Sequence, residues 1–207
     1  MPICTLGDVK TRMGVAAADM RDSDIISDLI EYVGGLFDTE CERHFLLPAA
    51  AVTEYHDGGK EIHLEYYPVV STTSVKIASD WDWTGADALD SDVDYRLKAE
   101  KGVVYYTTSY GWPWEPADMQ GNFPEGIDNL QIIYKGGYTE PSDAVGAGET
   151  ALPFEIRYAA VDQVIYFYNQ RDTIGKTSVS SEGRSMTKTN PYDLLPNVRR
   201  VLQQYRR

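Results

Sequence analysis

The spacing of apolar residues changes period twice along this chain, and that change bounds what it can fold into. Ile25, Ile26, Leu29, Ile30, Val33, Leu36, Phe37 and Cys41 recur three and four residues apart, which makes one continuous stripe on a helix reaching about Arg43. From Ala49 the texture becomes short runs rich in Val, Ile, Thr and Tyr, separated by turn residues, as strands are. The helical period returns after Pro153, with Phe154, Ile156, Arg157, Ala160, Val161, Val164, Ile165 and Tyr168 on one stripe. Helix-forming stretches on either side of a strand-forming one predict an α+β chain. Its form is a small α-helical bundle with an antiparallel β insertion between the second and third helices, followed by a C-terminal arm.

The boundaries follow from punctuation. Thr5 and Gly14 bracket a short first helix as cap and stop, and Asp22 or Ser23 caps the second. Gly34-Gly35 weakens that helix by up to about 1 kcal/mol per residue, which predicts close approach by a neighbouring helix. Strands are expected at 52–56, 61–67, 69–78, 94–98, 102–108 and 129–135. Pro153 is expected at the first position of the third helix and Pro196 at that of a short last one. The divisions are 1–48 for the N-terminal helices, 49–138 for the β insertion, 139–170 for a connector and the third helix, and 171–207 for a flexible, polar strap and an anchor helix.

Charge is sorted along the chain. The 207 residues carry 19 Lys/Arg and 32 Asp/Glu, a net of −13, yet residues 170–207 hold eight bases against three acids. A basic tail on an acidic body marks a segment that meets a partner the body would not attract. The overall acidity argues against general DNA affinity, which needs cations to neutralise phosphates. Cys4 and Cys41, far apart in apolar positions, read as buried thiols rather than a bridge or a metal pair. The opening MPICTLGDVK lacks the pattern of a signal peptide, and no apolar run is long enough to span a membrane.

Several motif-like strings lack the context their chemistry needs. Asp90, Asp92 and Asp94 imitate a calcium loop, but Tyr95 and Lys101 stand where Gly and Glu are required. Gly175-Lys176-Thr177 has Gln170 in place of the upstream glycine of a phosphate loop. Gly146-Ala147-Gly148 precedes Pro153 with no βαβ unit around it. His44, His56 and His63 have no zinc-site spacing, and no GxSxG nucleophile motif occurs. No cofactor or metal is expected. Trp81, Trp83, Trp112 and Trp114, beside Asp80, Asp82 and Glu115, allow two readings. Aromatics beside carboxylates can stack and hydrolyse a sugar, so a carbohydrate-binding or glycoside-active β domain is one. Aromatics at loop tips also suit packing or an interface, because tryptophan buries a large area and keeps one donor.

The ordered set of landmarks resembles the head-to-tail adaptor (connector, or head completion) proteins of tailed bacteriophages. Those landmarks are TLGDVKTRMGV, a capped helix ending Glu42-Arg43-His44-Phe45, and Glu61-Ile62-His63-Leu64 leading to Tyr67-Pro68-Val69-Val70. After them come Ser74-Val75-Lys76-Ile77, Tyr134-Lys135-Gly136-Gly137-Tyr138, the helix IRYAAVDQVIYFYNQRD and the terminal LLPNVRRVLQQYRR. The likeness covers nearly the whole chain, although each piece is short, and the tryptophan loops lie outside it.

The resemblance implies a non-enzymatic structural protein, made in the host cytoplasm and placed in the neck of the virion. It implies a ring, commonly of twelve copies, under the portal. Double-stranded DNA would pass through without sequence-specific binding, and a stopper or tail component would dock below. Portal contact is expected from Leu194, Leu195, Val198, Arg199, Arg200, Val201, Leu202, Tyr205, Arg206 and Arg207, with the apolar positions supplying buried area and the arginines pairing with carboxylates. The four tryptophans are the expected subunit or tail interface.

Overall fold

Residues 2–78, 80–86, 88–107, 121–171, 178–181, 184–187 and 193–206 are described by the computed structural model of the chain. The fold is α+β, with four α-helices and antiparallel sheets among the described residues. It divides into a helical unit (Met1–Arg43, Glu140–Ala144 and Ala151–Arg207) and a β unit (His44–Thr139 and Val145–Thr150).

In the helical unit, α1 spans Leu6–Met13 and starts in a reciprocal cap. The Asp8 amide donates to Thr5 Oγ1 at 3.1 Å, and the Thr5 amide donates to Asp8 Oδ2 at 2.9 Å. Gly14 ends the helix in the left-handed conformation, φ 71°. α2 spans Ser23–Cys41 and buries Ile26, Ile30, Val33, Phe37 and Cys41. Ile25 is exposed, and Leu29 and Leu36 are half-buried, so the single stripe read from the sequence is two adjacent ones.

Two details of α2 correct the sequence reading. Asp22 stands at the N-cap but caps nothing: its backbone is left-handed, φ 56°, and its carboxylate accepts a 2.6 Å hydrogen bond from the Tyr168 hydroxyl of α3. The charge that could have held the first turn is held by a tyrosine instead. Gly35 is not the site of a close helix approach, since a Cβ there would meet nothing within 4 Å.

α3 spans Phe154–Gln170, with Pro153 one position before it as the N-cap. Its inner face is Ile156, Ala159, Ala160, Val161, Val164 and Phe167, together with the fully buried Gln163. Phe154, expected on that face, is exposed. α4 spans Pro196–Leu202 and packs on α3 and α2. Between α3 and α4 the chain forms an antiparallel pair, Ser178–Ser181 with Arg184–Thr187.

The β unit begins with β1 (Val52–His56), β2 (Glu61–His63) and β3 (Val69–Ile77), and continues with β4 (Tyr95–Lys98), β5 (Val103–Tyr106) and β6 (Leu130–Gly136). They form two antiparallel three-stranded sheets, ordered β1-β6-β3 and β2-β5-β4. The central strands β5 and β6 are the most apolar, as two-sided pairing and burial require. Ile62, Leu64, Val75, Val104, Phe123, Leu130, Ile132 and Tyr134 belong to the core. The strand expected over 61–67 stops at His63 because the next amides find other acceptors. Leu64 donates to the Gly102 carbonyl at 2.8 Å, Glu65 to the Glu54 carboxylate at 3.2 Å, and Tyr66 to the Tyr134 hydroxyl at 2.9 Å.

Candidate functional site

α4 is built by one residue from α3. The buried Gln163 amide accepts a 2.9 Å hydrogen bond from the Leu195 N–H, just before the first helical turn, and donates at 3.3 Å to the Asp193 carbonyl. Helix starts leave backbone donors without partners, and Gln163 satisfies one of them. It is the residue of this site that sequence reading missed. Its signal was a long polar side chain inside an apolar stripe.

With that start fixed, Leu194, Val198 and Leu202 are buried within the helical unit itself, and Leu195, Val201 and Tyr205 are half-buried. Cys41 Sγ lies 3.5 Å from the Leu202 carbonyl. Arg199, Arg200 and Arg206 point outward and are exposed. Arg199 pairs with Asp193, Arg206 with Glu42 at 2.9 Å, and the Tyr205 hydroxyl donates to Glu155 at 2.9 Å. Pro196, Arg199, Arg200 and Gln203 rim a shallow groove of about 280 Å³ over Tyr166 and Leu194. Arg207 lies outside the described residues.

In the β unit, Trp81 is exposed with a left-handed backbone, φ 58°, and its Nε1–H donates to the Ile127 carbonyl at 2.9 Å. The half-buried Trp83 has its ring 5.6 Å from that of Tyr55, and its carbonyl accepts from Lys76 Nζ at 3.0 Å. Trp81 is thus held by one hydrogen bond while most of its ring stays open, and Trp83 by a ring contact and a backbone hydrogen bond. Trp112, Trp114 and Glu115 lie outside the described residues. Asp80 and Asp82 each accept from a backbone amide two residues on, at 3.2 and 3.0 Å, in exposed turns.

A buried polar cluster sits elsewhere in that unit. The Tyr134 hydroxyl donates to the Glu54 carboxylate in a very short contact, and His56 Nε2 lies 2.9 Å from the other Glu54 oxygen. Burial, then the hydrogen bond to Glu54, pushes the Tyr134 phenol well above its ordinary pKa. The cluster ties β1, β6 and the 64–66 segment together. Satisfied buried polar groups of this kind rigidify a fold. Among the described residues no group of three or more His, Cys, Asp or Glu is arranged to hold a metal ion, and no helix is long and apolar enough to cross a membrane.

These features define a helical unit that displays arginines at its last helix and a β unit that displays aromatics at a loop. No family model and no curated protein matches the chain. Among solved structures it is similar to a chain in the neck of an empty gene transfer agent particle, computed with C6 symmetry. The likeness covers 99% of this chain and 89% of that one, at 10% identity and a TM-score of 0.52. A chain in the virion of a native gene transfer agent particle matches over the same shares, at 11% identity and a TM-score of 0.48. At 10% identity the first likeness establishes a shared fold.

Proposed function

We propose that this chain is a structural protein of a phage-like virion, a ring-forming head-to-tail adaptor in the neck. The observation that carries the reading is the fold likeness, over 99% of the chain, to a chain of a gene transfer agent neck. The order of landmarks along the sequence resembles adaptor proteins independently of that likeness. Twelve copies under the portal suit the reading, twelve being a multiple of the six-fold symmetry used for that neck.

The mechanism is geometric rather than catalytic. The ring extends the DNA channel, and a chain of net charge −13 keeps double-stranded DNA mobile rather than bound. Leu194, Val198 and Leu202 hold α4 in its unit, so Arg199, Arg200 and Arg206 form a fixed cationic face toward an acidic portal surface, with Leu195, Val201 and Tyr205 beside it. Arginine suits this contact because its planar fork meets carboxylates at two points. Trp81 and Trp83 supply the contact to a neighbouring subunit or to the stopper or tail component.

Co-expression with the portal of the same particle, followed by imaging of the purified complex, tests the proposal. A ring of adaptor density under the portal is expected, and truncation at Asn190 is expected to abolish it. An intact chain that leaves the portal bare overturns the proposal, and a truncated chain that docks normally removes α4 from it.

A further inference from the structure

α2 carries more apolar surface than its own unit covers. Beside the buried stripe run Ile25, Leu29, Tyr32 and Leu36, at four-three-four spacing, with Ile25 44% and Tyr32 50% exposed. Asp24, Asp28 and Glu31 follow the same helix at i, i+4 and i+7, all exposed, with no ion-pair partner among the described residues. Like charges at this spacing repel one another along a helix. A cation brought against them from outside relieves that repulsion.

The helical unit also holds a groove of about 520 Å³ between α1 and the first turns of α3. Phe154, 70% exposed, and Tyr158 set their rings 5.2 Å apart along it, and Arg12 lies over the Tyr158 ring at 4.8 Å. The carboxylate lining the groove, Asp8, is already taken by Arg157 through contacts of 2.9 and 2.6 Å. Among the described residues the one carboxylate that Arg12 meets is Asp162, at 3.3 Å from a half-exposed side chain. Exposed pairs of that kind are weak, so the guanidinium can turn to better-placed carboxylates.

The acid-flanked stripe and the arginine-rimmed aromatic groove share no residue, and each offers what the other lacks. We propose that the α2 stripe of one copy seats in the Arg12–Tyr158 groove of a second copy, so that Ile25 and Tyr32 cover the exposed rings and Asp28 meets Arg12. A second copy is the occupant because both halves of the complementary pair lie on this chain. Joining two different patches makes a heterologous contact, which repeats around a ring and closes where the rotation permits. A two-fold contact through α2 alone would oppose two acidic rows. The inference rests on the ring reading above and gives it a lateral contact.

Charge exchange on the full chain tests it, read by sedimentation over a concentration series, with circular dichroism to check folding. Arg12→Glu and Asp28→Arg are each expected to weaken self-association by at least about tenfold, and Lys60→Glu, a reversal in the β unit, to leave it unchanged. Mixing the two single variants, or placing both changes in one chain, is expected to restore association. Association that survives both single variants, or a loss that the combination fails to repair, overturns the pairing and leaves the ring reading standing. A chain that stays monomeric alone and with portal overturns both.

Discussion

Arg157 grips Asp8 at two points, 2.9 and 2.6 Å, across 149 residues of sequence, and so fastens the first turn of α1 to α3. The same carboxylate closes the cap with Thr5, so one acid serves both the local helix start and the tertiary joint. Burial raises the Asp8 pKa. The hydrogen bonds from Arg157, then from Thr5, outweigh it, and the net value lies below the ordinary carboxylate range.

A folded-state pKa that is depressed adds stability above the unfolded-state value of about 3.9, and this is lost as pH falls through the folded value. Arg157→Ala is therefore expected to cost about 1–2 kcal/mol at neutral pH. It is also expected to make stability fall less steeply below pH 4 than in the parent chain. Urea melts at pH 7 and at pH 3 measure both effects. An equal loss at the two pH values contradicts the linkage.

Tyr134 gives the opposite sign. Its phenol is raised by burial and then by Glu54, so the folded state keeps a proton that the unfolded chain releases above about pH 10. The contribution is present below that pH and lost as pH climbs beyond it. Tyr134→Phe leaves the Tyr66 amide without its acceptor and is expected to cost about 1–3 kcal/mol at pH 7. The gap from the parent chain is expected to narrow above pH 10. Thermal melts at pH 7 and 10.5 provide the comparison.

Gly58 marks a close backbone approach, because a Cβ there would lie 1.7 Å from the Pro124 carbonyl oxygen. Gly58→Ala is expected to destabilise the chain by about 1–3 kcal/mol, the usual cost of overpacking. Gly59→Ala, where a Cβ meets nothing within 4 Å, is the control. Chemical denaturation of the pair separates the steric cost at position 58 from general loss of glycine.

Cys4 and Cys41 are free and buried, and burial pushes their thiols up to about 12 and about 11. Thiolate is the reactive form, so neither is expected to label with a thiol reagent at pH 8 until the chain unfolds. Labelling kinetics in rising denaturant then report opening of the helical unit. Rapid labelling of either cysteine without denaturant contradicts this burial.

The parts of the fold legible in the sequence are those governed by period. The inner faces of α2 and α3 follow three- and four-residue spacing, and the core strands β3, β5 and β6 stand within a residue or two of their expected places. What period does not carry is the choice between neighbouring apolar residues. Ile25 and Ile26 are chemically alike, yet one faces solvent and the other the core. Phe154, expected on the inner face, faces solvent for the same reason: the direction of a stripe depends on which helix lies opposite. Polar side chains with remote partners were the least visible, as with Glu54 at Tyr134 and Gln163 at Leu195. The charge sorting at the C-terminus was plain in the sequence, but only geometry separates the inward Val198 and Leu202 from the outward Arg199 and Arg200.

The Gln163 amide has a further effect. It both receives from Leu195 and gives to Asp193, so a slip of one residue in α4 would strand a buried carboxamide at both ends. The helix is thereby keyed to a single rotational phase, like a shaft with one flat. Wherever many copies stand side by side, that key lets every copy present its cations at the same angle.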